Sequence, residues 1–272
     1  MNDINDFELL HRLFQKNLLL RTKLREIVRS IANLEKNMCL EITCSTPILS
    51  YYLRKAGGKW HTAVSEKEHA LFVKCLGENV HVFTPNELPF KRNTFDIIVL
   101  IDVLERVQSD VDFVEQCHKL LKSEGFLIVH TPQVKRRSLL NFLRRILGVR
   151  QNDTVRPGYT ESELFRVLRD GFNMREVKTY SHFFVETVDT VGRAIVERRK
   201  KRGNITNEEL LKLYRIINIF YLLAAQFDLF LFFTKGNYIV ATAQRRAWRP
   251  RRAPVLIDGR SIVDAVLSKP GV

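Results

Sequence analysis

The stretch LPFKRNTFDIIVLIDVLERVQSDVDFVEQCHKLLKSEGFLIVHTP, from Leu88 to Pro132, decides the fold. Its first apolar run, Phe95 to Ile101, is continuous rather than alternating, which is typical of a strand buried on both faces of a parallel sheet. A second apolar run covers Phe126 to Val129, and the segment between them has helical spacing, with Ser109 as N-cap and Gly125 as its end. The predicted buried face of this helix consists of Val111, Val114, Cys117, His118 and Leu121. The stretch therefore predicts a strand–helix–strand unit.

The composition limits the classes of protein to consider. With 272 residues and 45% hydrophobic content, the chain can bury one substantial core. The formal net charge of +14 favours an acidic partner, such as anionic lipid headgroups, a phosphorylated substrate or nucleic acid. Nucleic acid is disfavoured because neither basic run is interleaved with base-stacking aromatic residues.

The four cysteines have no C-x-x-C spacing, so we interpret them as reduced core residues rather than as a metal site or a disulfide framework. No basic start followed by an apolar run and a cleavage site occurs at the amino terminus. A cytoplasmic location is predicted, with peripheral membrane association as the alternative.

Outside the central stretch, helical and strand patterns divide the chain into five segments. The prediction is a helical prefix at 1–36, a sheet domain at 37–180, a helical insertion at 181–236, a last strand at 237–245 and a basic flexible tail at 246–272. Packing of the prefix against the sheet is favoured over a lid on a ligand.

Two segments have an unusual composition. Residues 135–150 combine apolar positions at helical spacing with six basic residues and no acid, which predicts a basic amphipathic helix. Its apolar side faces either the core or an anionic membrane surface. Residues 210–233 are very apolar, but Asn218, Gln226 and Asp228 interrupt them, so packing in the core or at a homo-oligomer interface is favoured over interfacial docking and over a transmembrane span.

The order of motifs resembles a known family. LPF, a polar turn, FDIIVLIDVLERV, a helix, LLKSEGFLIVHTP and then GYTESELFRVLRDGF are similar to the class I S-adenosylmethionine-dependent methyltransferases, particularly those acting on small molecules, lipids or glycans. The resemblance implies an α/β, Rossmann-like sheet of seven strands, mostly parallel with the last strand antiparallel, helices on both faces and an added helical insertion.

The resemblance also implies where the cofactor would bind. In this family the first strand ends in an acid followed by three alternating glycines, but here Thr43, Ser45 and Pro47 replace the glycines. Thr46 followed by Pro47 predicts an ordinary helix start instead. The acids at the ends of strands two and three are replaced by Ser65 and Thr84, which would weaken cofactor binding by about 1 to 4 kcal/mol. The implied cofactor-binding positions are Glu41, Thr43, Ser45, Ser65, Thr84 and Asp102.

No catalytic base stands out in the sequence, and no metal site is expected. His130, Tyr159 and His182 follow or border the carboxyl ends of predicted strands, where they would line the pocket for the methyl acceptor. Glu105 and Arg106 lie in the DVLERV motif, in which family members often carry His in place of Arg106.

Two functions remain after these observations. The first is methyl transfer from S-adenosylmethionine to a small-molecule, lipid or glycan acceptor. The alternative is a catalytically inactive protein with the same fold, acting as a binding or structural module because its cofactor motifs are lost.

Overall fold

Seven strands form one sheet at the centre of the molecule. The computed structural model describes residues 6–135, 139–148, 154–203, 206–231 and 233–249. The strands are β1 (Met38–Thr43), β2 (Lys59–Val64), β3 (Val80–Val82), β4 (Phe95–Ile101), β5 (Leu121–Pro132), β6 (Phe172–Tyr180) and β7 (Tyr238–Arg245). Their order across the sheet is β3-β2-β1-β4-β5-β7-β6. β7 runs antiparallel to both β5 and β6, whereas the other pairs are parallel, so the predicted fold class is confirmed.

Helices cover both faces of this sheet. They are α1 (Asp6–Lys16), α2 (Leu18–Ile31), α3 (Pro47–Lys55), α4 (Glu66–Leu76), α5 (Asp110–Leu120), α6 (Leu139–Leu147), α7 (Glu161–Leu168), α8 (Phe183–Arg202) and α9 (Asn207–Asp228), which continues into a 3₁₀ turn at Leu229–Leu231. Alternate residues of β4 point to opposite faces, so Ile97 and Val99 pack with the α2 side while Ile98 and Leu100 pack with the α5 side. The central strand is therefore buried on both faces, as its continuous apolar run predicts.

The helical prefix packs against the body of the domain. Ile27 and Ile31 of α2 are fully buried in the same core cluster as Val99 of β4. Phe14 of α1 packs with Leu49 of α3 in a separate cluster. The prefix thus holds α2 across the sheet beside the carboxyl end of β4.

Two details around α5 differ from the sequence prediction. β5 begins at Leu121, not at Phe126, because Leu121 pairs with Phe95 before a bulge shifts the register. The predicted buried position Val111 is 41% exposed, since the face of α5 that contacts the sheet starts at Phe113. Val111 has the helical spacing of a buried residue but lies in the first turn of α5, before the part of the helix that contacts the sheet.

The sequence predicts two packings for the helical insertion, in the core or at a homo-oligomer interface, and the second stays a prediction. α8 and α9 pair with each other, and the predicted burial of 210–233 in the core is wrong for most of its residues. The buried residues of α9 are Ile217, Tyr221, Ala224 and Asp228.

The predicted flexible tail also starts with ordered contacts. The N–H of Arg246 donates to the Gly171 carbonyl at 2.9 Å, and the Trp248 ring packs against His118 with centroids 5.0 Å apart. The rest of the predicted tail, 250–272, lies outside the described residues.

Candidate cofactor site

The carboxyl ends of β1 and β4 meet at the loop that follows β1. The N–H of Cys44 donates to the Ile101 carbonyl at 3.1 Å, which joins this loop to the end of β4. The N–H of Ser45 donates to the Thr43 hydroxyl at 3.1 Å, so both predicted cofactor-binding hydroxyl residues lie within one tight turn. No residue from 43 to 47 has a positive φ, and Pro47 is the first residue of α3, as predicted.

Thr46 occupies the N-cap position of α3 but its side chain does not cap the helix. The Thr46 hydroxyl makes no hydrogen bond to the first turn, and its oxygen is buried without a partner among the described residues. A buried hydroxyl that lacks a partner costs about 1 to 3 kcal/mol. This oxygen is therefore an unsatisfied polar atom beside the loop that follows β1.

Glu41 is the acid at the end of β1, and its carboxylate is already bonded within the chain. The Ser50 hydroxyl donates to it at 2.8 Å and the Thr62 hydroxyl at 3.4 Å. The side chain is 1% exposed, and burial raises its pKa to about 7. Glu41 thus joins β1, β2 and α3 rather than facing open solvent.

Asp102, directly after β4, is held by two neighbours. Lys23 of α2 donates to one carboxylate oxygen at 2.5 Å, and His130 Nδ1 lies 2.8 Å from the other. Burial raises the pKa of Asp102, but the Lys23 ammonium and the hydrogen bond with His130 outweigh it and hold the pKa well below its usual range. Asp102 adopts a left-handed conformation with φ of 55°, which an Asp tolerates better than most residues.

The contacts continue from His130 into the core. His130 Nε2 lies 2.6 Å from the Tyr180 hydroxyl, and the His130 ring stacks on Tyr238 with centroids 5.4 Å apart. Burial lowers the pKa of His130, which favours the neutral imidazole. The predicted acceptor-binding residue His130 is 0% exposed, with both ring nitrogens in hydrogen-bond contact inside the protein.

Sequence reasoning missed Lys23. Its spacing in the sequence could have revealed it, because Leu19, Lys23 and Ile27 are four residues apart and Lys23 therefore lies within the apolar face of α2. A lysine on a buried face requires an acidic partner.

The ends of β2 and β3 carry the other predicted positions. The Ser65 hydroxyl donates to Glu68 at 3.1 Å, which places a half-buried carboxylate at the carboxyl end of β2. The predicted position Thr84 is exposed, and its backbone pairs with Glu87 in a turn. Glu68 was missed because the resemblance places the acid at the strand end itself, three residues earlier.

A set of charged groups surrounds the Cys44 thiol. Burial raises the thiol's pKa to about 12, while Arg106 acts to lower it and Glu68, Glu105 and Asp102 act to raise it further. Nε of Arg106 is buried without a hydrogen-bond partner among the described residues. A guanidinium nitrogen and the Thr46 hydroxyl are thus both available near this loop.

Glu105, in the DVLERV motif, is buried. It is 3% exposed and accepts a hydrogen bond from the Thr131 hydroxyl at 3.2 Å. Burial, followed by the charge of Asp102, raises its pKa to about 7. A carboxyl group that titrates near neutrality at the end of a strand is typical of functional sites.

These residues fit an S-adenosyl cofactor in a different way from the glycine loop. The ribose hydroxyls of such a cofactor can donate hydrogen bonds to a carboxylate of the protein. Its amino acid moiety carries a carboxylate of its own, which can pair with a guanidinium of the protein. Glu68 and Arg106 supply those two groups, and the Thr46 hydroxyl is a further donor. The glycines that would let the backbone approach the ligand are absent.

The other two predicted acceptor-binding residues, Tyr159 and His182, have different surroundings. The Tyr159 hydroxyl lies 2.8 Å from Asp110 and 3.1 Å from the Leu104 carbonyl oxygen, and the residue lines a cleft of about 550 Å³. His182 is the N-cap residue of α8, and its Nδ1 lies 3.1 Å from the Thr234 hydroxyl. The structure does not bring these two residues to one pocket with His130, whose ring is enclosed.

Comparison with known proteins finds a partial match to a family model. Residues 40–129 match the family model described as a methyltransferase domain. No curated protein sequence matches the chain significantly.

Solved structures share the fold at low sequence identity. A proposed sarcosine dimethylglycine methyltransferase from Galdieria sulphuraria is 14% identical with a TM-score of 0.55, covering 83% of this chain and 85% of that one. The mycolic acid cyclopropane synthase CmaA1, in complex with SAH and CTAB, is 16% identical with a TM-score of 0.54 over 83% and 84% of the two chains. The cyclopropane synthase MmaA2 from Mycobacterium tuberculosis is 17% identical with a TM-score of 0.52 over 90% and 100%.

The predicted resemblance is confirmed by both kinds of comparison. The matched residues span β1 to β5, which include the ends of β1, β2 and β4 where the candidate site lies. Residues 40–129 thus match the methyltransferase domain family, and the described chain has the fold of the class I S-adenosylmethionine-dependent methyltransferases.

Proposed function

We propose that this protein transfers the methyl group of S-adenosylmethionine to a small-molecule, lipid or glycan acceptor, with cofactor contacts moved from the glycine loop to Glu68 and Arg106. The observation that carries the proposal is the pair of charges beside Cys44: a half-buried carboxylate at the end of β2 and a guanidinium whose Nε lacks a partner among the described residues. The family match over residues 40–129 supports the same cofactor.

Each of these groups has a defined role in the proposal. Glu68 accepts the ribose hydroxyls, and Arg106 pairs with the carboxylate of the methionine moiety. When bound, the cofactor supplies an electrophilic methyl group. Helix α2 closes the end of β4 through Lys23, which excludes water from that side of the site. Methyl transfer then depends mainly on proximity and alignment.

Glu105 is the group available to accept the acceptor's proton. Its pKa of about 7 lets it alternate between carboxylate and carboxylic acid near neutral pH. Thr131 donates to one of its oxygens and so fixes the orientation of the carboxyl group.

Isothermal titration calorimetry with S-adenosylmethionine and its demethylated product tests the proposal. We expect saturable binding in the micromolar range. Removing one charge-assisted contact costs about 1.5 to 3 kcal/mol, so Glu68→Gln and Arg106→Gln should each weaken binding roughly tenfold to a hundredfold.

Matched controls separate this effect from general damage. Glu66→Gln changes an exposed acid of the same helix turn, and Arg92→Gln changes an exposed arginine before β4. Both should bind like the unmodified protein. Equal weakening by Glu66→Gln and Glu68→Gln would contradict the assigned role of Glu68.

The inactive alternative has its own supporting observation. The two acids that survive from the family pattern, Glu41 and Asp102, are both bonded inside the chain, the second by the Lys23 ammonium. Under this alternative, neither ligand gives heat at millimolar concentration, and the protein is a binding module built on the methyltransferase fold.

A further inference from the structure

Helix α9 is apolar on the side that faces away from the protein. Together with the 3₁₀ turn it forms a segment, Asn207–Leu231, that is long and apolar enough to cross a membrane by length and composition. Its packed side consists of Ile217, Tyr221, Ala224 and Asp228. A helix that is apolar all round is normally enclosed by protein or by lipid.

The outward side of α9 is a continuous row of exposed apolar residues. Six of them lie on the helix itself and are 54–57% exposed, and the row continues through the turn that follows. We call this row the α9 ridge, and it consists of Ile216, Ile219, Phe220, Leu222, Leu223, Phe227, Leu229, Phe230 and Phe233. Soluble monomers rarely expose contiguous apolar patches above roughly 300–600 Å².

Helix α6 adds a second exposed apolar row beside the first. Leu139, Phe142 and Ile146 are 61–67% exposed and follow helical spacing, so the predicted amphipathic helix presents its apolar side outward. A cleft of about 330 Å³ connects the two rows, since it is lined by Leu139 of α6 and by Leu231, next to Phe230 in the 3₁₀ turn. The two rows therefore form one surface.

Basic side chains flank the exposed apolar residues of this surface. Lys212 and Arg215 on α9, Arg145 on α6 and Lys235 after the ridge are exposed, although Lys235 also pairs with Glu161 at 2.9 Å. The exposed acids of α9, Glu208 and Glu209, lie in its first turn, before the ridge begins. The acid within the ridge segment, Asp228, is buried and accepts hydrogen bonds from the N–H groups of Phe184 and Val185 at the start of α8. Basic side chains flanking exposed aromatic and aliphatic residues match an anionic lipid surface.

The contacts of α9 indicate that it lies along a membrane rather than across it. The Tyr221 hydroxyl donates to Asp189 of α8 at 2.6 Å, and Arg193 pairs with the same carboxylate at 2.5 Å. The Tyr221 contact, and the hydrogen bonds that Asp228 accepts from the start of α8, would be lost if α9 separated from α8 to span a bilayer. Helix α1 also packs against α9.

We propose that the α9 ridge and the outward face of α6 dock the protein on the surface of an anionic phospholipid membrane. Lys135 lies three residues beyond the end of β5 and lines the connecting cleft. The docked surface is therefore next to the carboxyl end of β5. The proposal concerns membrane docking and holds whether or not the cofactor binds.

Vesicle flotation of the full chain tests the docking. Vesicles of phosphatidylcholine are compared with vesicles containing about 30% phosphatidylserine, and flotation separates bound protein from aggregates. We expect binding to the anionic vesicles that weakens with salt, and a fall of at least tenfold in the partition coefficient for Phe227→Gln/Phe230→Gln. Phe165→Gln is the matched control, because Phe165 is an exposed phenylalanine of α7.

Three other results would overturn the proposal. The first is absence of flotation with both vesicle types. The second is a concentration-dependent dimer that Phe227→Gln/Phe230→Gln makes monomeric while vesicles bind neither protein, because a second copy then covers the surface. The third is resistance of the cellular protein to extraction from membranes by alkaline carbonate, which means that α9 spans the bilayer.

Discussion

The ammonium of Lys23 lies 2.5 Å from Oδ2 of Asp102, although 79 residues separate them in the chain. Their side chains are 8% and 16% exposed. This contact joins the prefix helix α2 to the carboxyl end of β4. It also neutralises an acid at an implied cofactor-binding position, so it links the stability of the fold to the state of the site.

Lys23→Met should destabilise the protein by about 3 to 5 kcal/mol, because it leaves Asp102 buried without its ammonium partner. The double variant Lys23→Met/Asp102→Asn should recover most of that loss, since Asn also tolerates the left-handed conformation at position 102. Urea unfolding at pH 7 measures both. Arg25→Met removes an exposed arginine of the same helix, and its partner Glu26 keeps the Arg29 guanidinium at 3.0 Å, so stability should change by less than about 1 kcal/mol. A Lys23→Met variant as stable as Arg25→Met would show that the ammonium does not compensate the buried charge.

Glu41→Gln should change how stability depends on pH. Burial raises the pKa of Glu41 to about 7 in the folded protein, so its contribution is present below the unfolded pKa of about 4 and is lost as pH rises through about 7. The variant carries no charge at this position. It should therefore gain stability relative to the unmodified protein between pH 5 and pH 8, on the order of 3 kcal/mol.

Unfolding free energies at pH 5, 6, 7 and 8 give that comparison. Glu35→Gln, at an exposed position before β1, is the control and should show the same pH dependence as the unmodified protein. Parallel curves for Glu41→Gln and the unmodified protein would mean that Glu41 does not titrate in this range.

Much of the fold follows from the sequence because it depends on local apolar patterns. Phe95 to Ile101 is continuous and becomes the central strand, and the Thr160–Glu163 pair predicts the capping box that begins α7. The candidate site follows less well, because its contacts join residues far apart in the chain. No pattern within DVLERV reveals that Asp102 meets Lys23, or that Glu105 is enclosed by Thr131.

The insertion shows a different limit of sequence reasoning. The apolar residues of 210–233 correctly predict a helix, but hydrophobicity does not specify what covers it. The structure buries Ile217 and Tyr221 against α8 and leaves Phe220 and Phe227 exposed. Which apolar side meets protein depends on the position of α8, whose first-turn N–H groups of Phe184 and Val185 donate hydrogen bonds to Asp228.

Glu105 should make the preference for S-adenosylmethionine over its demethylated product depend on pH, if the proposed cofactor binds. Its carboxyl group is neutral below a pKa of about 7 and anionic above it. The sulfonium of S-adenosylmethionine is cationic, whereas the product is neutral at sulfur. The affinity ratio should therefore rise at least about threefold from pH 6 to pH 8, as expected for a partly screened charge pair. Calorimetry at both pH values measures the ratio, and in Glu105→Gln it should stay constant. A ratio that rises equally in the variant would assign the effect to another group.

Thr160→Ala should destabilise the protein by about 1 kcal/mol through loss of the helix cap. The Thr160 hydroxyl accepts a hydrogen bond from the Glu163 N–H at 3.2 Å, and Glu163 accepts one from the Thr160 N–H at 2.8 Å. The variant leaves the Glu163 N–H without that acceptor. Thr187→Ala is the matched control, because the Thr187 hydroxyl donates to the Phe183 carbonyl inside α8, a contact that adds little to helix stability. Urea midpoints compare the two, and equal midpoints would mean that the capping box of α7 does not contribute to folding.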